Sequence, residues 1–188
     1  MYTRINVIGV SGCGKTTFAR ALAARLDCPH IELDNLYHGP GWTAPADDVF
    51  RARVQATLAH AGPCWVIDGN YSEARPVVWP LADTVVWLDY PISRIMWRLW
   101  WRTLRRVITR ERLWEAQNVE TWRAQFLSRD SLFLWAWNTY HQRRREYPRL
   151  LAQPENAHLT VLRFRQPREA QRWLASIPQR ANTQRGTA

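Results

Sequence analysis

The sequence has almost no lysine, few cysteines and no long apolar run. All but one of its 26 basic residues are arginine, and the exception is Lys15. The cysteines, Cys13, Cys28 and Cys64, are too few and too irregularly spaced for a zinc site or a disulfide framework, so we expect reduced thiols. The lack of a run of ~18 apolar residues excludes an ordinary membrane-spanning helix, and the first residues do not resemble a signal peptide. We therefore expect a cytoplasmic protein.

The length and composition are typical of one folded domain with an anionic partner. The chain has 188 residues, of which 46% are hydrophobic and 22% are charged, and these values exclude a disordered chain. Its net charge of +10 and isoelectric point near 10.5 favour an anionic partner. Nucleic acid, a membrane surface and the phosphates of a nucleotide all fit, and composition alone leaves them open.

The only lysine lies in a glycine-rich segment with the pattern of a phosphate-binding P-loop. This segment is Gly9-Val10-Ser11-Gly12-Cys13-Gly14-Lys15-Thr16, and Thr17 follows it. A β-branched run precedes the segment and helix-forming residues follow it, over residues 5–8 and 17–26. This strand, loop and helix context is the one in which a P-loop binds a nucleoside triphosphate.

The P-loop predicts ATP with Mg²⁺ as the bound species. We expect Lys15 to reach the β- and γ-phosphates and the Thr16 hydroxyl to ligate Mg²⁺. The backbone N–H groups of the loop and of the first helical turn should surround the phosphates. The predicted nucleotide-binding residues are Gly9, Ser11, Gly12, Cys13, Gly14, Lys15, Thr16 and Thr17.

Apolar runs alternate with helical segments along the rest of the chain. Beyond residues 5–8, the predicted strands are residues 30–33, 64–67, 84–88 and 159–162, and the predicted helices include residues 47–61, 92–112 and 167–176. Near-continuous apolar strands between helices indicate a parallel sheet that is covered on both faces. The sequence therefore predicts a single doubly wound α/β domain over residues 1–178 with a five-stranded parallel sheet, followed by a disordered tail over residues 179–188.

Three aspartates directly follow predicted strands, at the edge of such a sheet where ligands bind. They are Asp34, Asp68 and Asp89. An aspartate directly after a strand caps a turn or a helix about as often as it belongs to a binding site. For Asp89, which is followed by Tyr90 and Pro91, the structural role is favoured. Asp68 is predicted to hold Mg²⁺ with Thr16, directly or through water.

The segment 92–112 forms a basic amphipathic helix, with Arg94, Arg98, Arg102 and Arg105 or Arg106 recurring on one face. It could be a solvated face, a membrane-surface helix with Trp97, Trp100 and Trp101, or a cover that neutralises charge on a transferred phosphoryl group. The last is preferred. Most tryptophans of this region are expected to pack the two insertion helices together, namely Trp97, Trp100, Trp101, Trp114, Trp122, Trp135 and Trp137.

Together these motifs resemble those of the adenylate-kinase-like P-loop kinases. The segments that carry the resemblance are the P-loop, 66–71, 87–91 and the arginine helix, and segments 33–37 and 40–42 resemble the bacterial topology modulation (FlaR-like) branch. The likeness covers residues 3–176 and implies an ATP- and Mg²⁺-dependent kinase with a helical lid insertion over about 92–147. Counting from Pro91, it implies that Arg98 packs on the adenine and that Arg102 contacts phosphate.

The sequence departs from adenylate kinases where those enzymes bind AMP. Asp34 and a glycine-containing aromatic loop stand where they have a threonine and an arginine. This pattern is closer to that of shikimate- and gluconate-type kinases, in which an aspartate meets the acceptor's hydroxyl, so Asp34 would orient or deprotonate an alcohol. Trp42 lies in this acceptor loop. Arg129 is a weaker candidate for a second lid arginine, and the run Arg143–Arg145 is expected to be solvated surface or an anion patch.

Three classes of function remain, in this order. The first is a kinase that transfers the γ-phosphoryl of ATP to a small-molecule or nucleotide acceptor. The second is a nucleic-acid-binding or regulatory protein, such as a DNA topology modulator, although no DNA-reading motif is recognisable. The third is a membrane-surface protein. We expect a monomer or a dimer without a transmembrane segment.

Overall fold

The central strands of the sheet form where short apolar runs are buried. The computed structural model describes residues 2–39, 43–109, 112–113, 118–119 and 132–179. The strands are β1 (Arg4–Gly9), β2 (His30–Glu32), β3 (Trp65–Asp68), β4 (Thr84–Leu88), β5 (Arg112–Leu113), β6 (Asn118–Val119) and β7 (Thr160–Phe164). All five predicted strands form, with bounds close to those predicted from the apolar runs.

Helices connect the strands. They are α1 (Lys15–Leu26), α2 (Leu33–Tyr37), α3 (Asp47–His60), α4 (Arg75–Val78), α5 (Ile92–Thr109), α6 (Leu132–Leu151) and α7 (Pro167–Ser176). Single 3₁₀ turns lie at Trp79–Leu81 and Pro154–Asn156. Sequence signals fix α7 at the predicted bounds, because Gln166 and Glu169 form a capping box and Pro167 occupies the first turn.

The main sheet is parallel throughout. Its strand order is β2-β3-β1-β4-β7, and a separate antiparallel pair joins β5 to β6. Val7 pairs with Asp68 and Gly9 pairs with Leu88, so the ends of β3, β1 and β4 lie side by side. The loops that follow these three strands therefore meet at one edge of the sheet, as the doubly wound prediction requires.

Apolar helix faces cover both sides of the sheet. On one side Leu22 of α1 and Ile95 and Leu99 of α5 belong to one buried cluster. On the other side Phe50 and Val54 of α3 belong to a second cluster. Burying each such side chain contributes about 1.5–3 kcal/mol, so the helices on both faces are held chiefly by these contacts. The predicted five-stranded α/β architecture is confirmed.

Four of the seven tryptophans that were predicted to pack the insertion helices together are exposed. Trp97, Trp100, Trp101 and Trp137 are 40–63% exposed. The contacts are made by smaller or more central residues instead, because Ile95 and Leu99 of α5 share a buried cluster with Ala136 and Tyr140 of α6. The side chains of Trp114, Trp122 and Trp135 lie outside the described part.

Two cysteines form a disulfide, so the expectation of three reduced thiols is wrong. Cys28 lies just before β2 and Cys64 just before β3, with their Cα atoms 5.6 Å apart. Their separation of 36 residues gave no sequence signal, because only the pairing of β2 with β3 brings them together. Cys13 is a free, buried thiol.

The limits of the domain and of the lid insertion remain predictions. Both α5 and α6, in the predicted lid insertion over about 92–147, contribute side chains to the core cluster that contains α1. Residues 180–188 of the predicted tail lie outside the described ranges. Within those ranges, no helix combines the length and the apolar character that crossing a membrane requires.

Candidate active site

The loop between β1 and α1 presents a helix end that no side chain caps. Gly14 is the N-cap residue of α1, and it makes no side-chain capping hydrogen bond. Its φ of 95° lies in the left-handed region, which favours glycine. The first N–H groups of a helix attract anions, so the start of α1 at Lys15 and Thr16 is suited to phosphate.

Helix α5 lies against this loop. A Cβ added to Gly12 would stand 3.2 Å from the carbonyl oxygen of Ile95, and one added to Gly14 would stand 2.8 Å from Nη2 of Arg98. The structure therefore brings the predicted Arg98 to the P-loop. Arg102 also belongs to α5, but its side chain, like the whole of Arg129, lies outside the described part.

The predicted metal ligands are in contact. Thr16 Oγ1 donates a hydrogen bond of 2.8 Å to Oδ2 of Asp68, and Asp68 is only 2% exposed. Thr16 lies in the first turn of α1 and Asp68 is the last residue of β3. The two residues are 52 positions apart in the sequence. Sequence reasoning selected both residues, and the structure places them together.

Asp68 has a second partner that sequence reasoning missed. His30 Nε2 lies 2.8 Å from Oδ1 of Asp68. His30 pairs with Val66, and side chains two residues apart on a strand lie on one face, so His30 lies on the face of β3 that carries Asp68. A polar residue opening an apolar strand was the only available signal.

Asn70 fixes the end of β1 and was also missed. The backbone N–H of Gly9 donates to Asn70 Oδ1 at 3.0 Å, and Asn70 Nδ2 donates to the carbonyl oxygen of Gly9. The side-chain amide thus acts as a backbone substitute at the start of the P-loop. Its place in Asp68-Gly69-Asn70, directly after a strand, was the signal that could have identified it.

The acceptor candidate Asp34 is held by a phenol. Tyr71 Oη donates to Asp34 Oδ1 at 2.7 Å and lies 3.3 Å from Nε2 of His38. Burial and the adjacent Asp34 raise the pKa of Tyr71, so the phenol stays protonated and remains a donor. Burial lowers the pKa of His38, and the Asp34 carboxylate opposes this shift. Tyr71 is therefore a neutral donor that orients the Asp34 side chain.

Aromatic rings support this cluster. Tyr37 and Tyr71 have ring centroids 4.4 Å apart, and Phe50 of α3 lies 5.0 Å from Tyr37 and 5.1 Å from Tyr71. Arg53 Nη1 also donates to the carbonyl oxygen of Leu36 at 3.1 Å, which holds α2 on α3. Trp42, the other predicted member of this loop, lies outside the described residues.

Asp89 has the structural role that the sequence favoured, although it binds two arginines instead of capping a turn. Arg144 donates to its two oxygens at 2.8 and 3.1 Å, and Arg163 donates to Oδ2 at 3.0 and 2.6 Å. The expectation that Arg143–Arg145 is solvated surface or an anion patch is therefore wrong for Arg144. It is also wrong for Arg143, whose Nη1 donates to the Tyr147 hydroxyl.

The remaining loop residues have clear positions. Cys13 is buried, and burial raises its pKa, so its thiol stays protonated and contributes its backbone rather than a nucleophile. Lys15, Ser11 and Thr16 are half-buried and Thr17 is exposed. The Thr16 hydroxyl and Asp68 carboxylate are hard oxygen donors that suit Mg²⁺, which usually takes only one or two protein carboxylates. The described ranges contain no group of three or more His, Cys, Asp or Glu side chains that could hold a metal.

No family model and no curated protein matches this chain. Solved structures are similar to it. A shikimate kinase from Acinetobacter baumannii in complex with shikimate aligns with a TM-score of 0.56 at 18% identity over 93% of this chain and 92% of the other. A shikimate kinase from Bacteroides thetaiotaomicron gives 0.53 at 15% identity over 93% and 96%. A gluconokinase from Sinorhizobium meliloti gives 0.52 at 22% identity over 92% and 91%. At these identities the likeness establishes the fold alone, which this chain shares with these three structures.

Proposed function

We propose that this protein is an ATP-dependent phosphotransferase that moves the γ-phosphoryl of ATP to a hydroxyl of a small-molecule or nucleotide acceptor. The contact between Thr16 and Asp68 at the uncapped start of α1 carries this proposal. It pairs a hydroxyl and a buried carboxylate beside the only lysine of the chain. That is the set of groups that binds a triphosphate together with a divalent cation.

The donor half of the site is assigned to the loop and to α5. Lys15 would bind the β- and γ-phosphates, and Arg98, which lies over Gly14, would pack on the adenine. Arg102 would neutralise phosphate charge. Thr16 and Asp68 would hold Mg²⁺, which offsets the charge of the phosphates and orients them when it is bound. Because phosphoryl transfer depends mainly on positioning and electrostatics, these groups suffice for the donor side.

The acceptor half is assigned to Asp34. Tyr71 occupies its Oδ1, so Oδ2 is the oxygen that would accept the proton of the acceptor's hydroxyl. The acceptor oxygen forms a bond to the γ-phosphorus, the bond to the β–γ bridging oxygen breaks, and ADP leaves. The solved structures with this fold include a shikimate kinase bound to shikimate and a gluconokinase, and both names denote hydroxy acids. A polyol or hydroxy acid is therefore the first acceptor class to test.

A nucleic-acid-binding or regulatory role, as in the topology modulation branch, is the second candidate. The net charge of +10 favours it. Two of the arginines counted in that charge are already occupied, since Arg144 and Arg163 bind the buried Asp89. DNA binding, if present, should weaken steeply with added salt, whereas nucleotide-dependent protection of residues 92–147 against proteolysis would favour the kinase.

We propose that the protein is a monomer or a dimer.

The experiment is a screen of ATP consumption by the purified chain with nucleosides, nucleotides, sugars and sugar acids. With the acceptor that is found, Asp34→Asn should lower turnover by about 10²–10⁴-fold, the range of a lost general base, and leave ATP binding within about twofold. Asp48→Asn, at an exposed position on α3, is the matched control. Full activity of Asp34→Asn would show that Asp34 does not take the proton.

A further inference from the structure

The buried carboxylate of Asp68 has its two oxygens held by different groups. Oδ2 accepts from Thr16 Oγ1 at 2.8 Å, and Oδ1 lies 2.8 Å from Nε2 of His30. A carboxylate can only accept, so Nε2 of the imidazole carries the hydrogen. The side chain of Asp68 is 2% exposed and that of His30 is 16% exposed, so water has little access to either. The two hydrogen bonds, one to each oxygen, therefore fix the orientation of the Asp68 carboxylate.

His30 has no place in the phosphate-binding motif. It comes from β2, whereas the loop follows β1 and Asp68 ends β3. Its contact closes a chain of three side chains, His30, Asp68 and Thr16, that runs across two neighbouring strands to α1. Groups that hydrogen-bond to a metal-binding carboxylate from outside set its orientation, and losing them typically lowers metal affinity about 10–100-fold.

The type of donor matters as much as its position. An arginine at this place would carry a permanent charge that competes with a divalent cation for the carboxylate. An imidazole N–H satisfies one oxygen by a single directed hydrogen bond. The carboxylate is thus desolvated and oriented, and its other oxygen is directed to the hydroxyl at the start of α1.

We propose that His30 is a positioning residue of the divalent-cation site, which holds Asp68 in the orientation that binds Mg²⁺ beside Thr16. This inference rests on the proposed function, because it assumes that Thr16 and Asp68 bind Mg²⁺ together with the nucleotide. It adds a residue from β2 to a site that the sequence motif assigns to the loop and β3 alone.

The test is a Mg²⁺ titration of the full chain at constant ATP, followed by the rise in melting temperature. His30→Leu removes the donor, and its Mg²⁺ midpoint should rise about 10–100-fold. ATP binding in EDTA should stay unchanged. His30→Gln can place an amide N–H at a similar reach and should restore the midpoint to within about threefold of the wild type. His60→Leu, a change at an exposed histidine on α3, is the matched control and should change nothing.

Two further variants separate this inference from the proposed function. Asp68→Asn and Thr16→Val should both raise the midpoint. If they do and His30→Leu shifts it by less than about threefold, His30 does not position the site and the proposed function stands. If neither raises it, Mg²⁺ does not bind there, and both proposals are wrong. If His30→Leu fails to fold, His30→Asn decides, because its shorter amide should raise the midpoint while His30→Gln does not. Equal midpoints for these two amides would overturn the inference.

Discussion

Two aspartates at the same edge of the sheet are equally buried and differ in what surrounds them. The side chains of Asp68 and Asp89 are each 2% exposed. Asp89 is bound by the guanidinium groups of Arg144 and Arg163, which cancel its charge permanently. Asp68 is bound by the Thr16 hydroxyl and the His30 imidazole, neither of which carries a permanent charge. On the proposed function, Asp68, whose neighbours carry no permanent charge, belongs to the reacting site, and Asp89, which binds two arginines, belongs to the framework.

The largest expected effect tests whether phosphoryl transfer takes place at the P-loop, beside Asp68. Lys15→Ala should lower ATP turnover by at least about 10³-fold, because a cation aimed at the transferred phosphoryl group is lost. Its free energy of unfolding should change by less than about 1 kcal/mol, as expected of a half-buried surface position. Turnover and urea unfolding measure the two quantities, and Arg20→Ala on the exposed face of α1 is the control. Turnover near that of the wild type would refute the assignment of the P-loop.

A matched pair of substitutions tests the comparison directly. Asp89→Asn should lower the free energy of unfolding by about 2 kcal/mol, less than the ~3–5 of a fully buried pair because both arginines are about one-third exposed. Asp68→Asn should lower it by about 1 kcal/mol, because the amide oxygen can still accept from one of the two partners, a hydroxyl and an imidazole. Turnover should fall more in Asp68→Asn than in Asp89→Asn. Equal losses of stability for the two variants would remove the distinction between site and framework.

The smallest expected effect concerns a third aspartate, at the opposite end of the sheet. Asp83 precedes β4, and its oxygens accept from the backbone and hydroxyl of Thr3, from the backbone of Arg4 and from the hydroxyl of Thr84, at 2.6–2.9 Å. Burial raises its pKa, but these hydrogen bonds outweigh burial and hold the pKa below its ordinary value of 3.8. Asp83 has only neutral donors, yet it lies away from the strand ends at which ligands bind. Neutral donors alone therefore do not identify a binding site.

A lowered pKa in the folded state gives Asp83 a defined pH dependence. Its contribution to stability is present above the unfolded value near 3.8 and is lost as the pH falls through the folded value. Urea unfolding at neutral pH and below pH ~4 should show that the wild type loses more stability than Asp83→Asn. An equal loss in both proteins would contradict the assigned hydrogen bonds.

Much of the fold could be predicted because its cause is local. A strand buried on both faces is a short apolar run, and Trp65–Asp68 and Thr84–Leu88 were found in this way. The P-loop could be predicted because its chemistry needs glycines and a lysine in sequence. The predicted pair of Thr16 and Asp68 followed from the rule that strand ends meet at one edge of the sheet.

The missed contacts share one physical cause, which is that they depend on which strands are neighbours. His30 reaches Asp68 across 38 residues, and Asn70 reaches Gly9 across 61. The order β2-β3-β1-β4-β7 decides these meetings, and the pattern of apolar residues does not contain it. The same holds for the disulfide between Cys28 and Cys64.

The close approach of β2 and β3 has a consequence for how such a protein could acquire new acceptors. A Cβ on Gly69 would stand 2.7 Å from the Cβ of Leu33, so the residues beside Asp34 and Asp68 touch with no room between them. A change of backbone at the start of α2, which carries Asp34, would therefore displace the end of β3, which carries Asp68. On the proposed function, a new acceptor specificity would have to arise away from this contact, so that the residues proposed to bind phosphate are inherited unchanged.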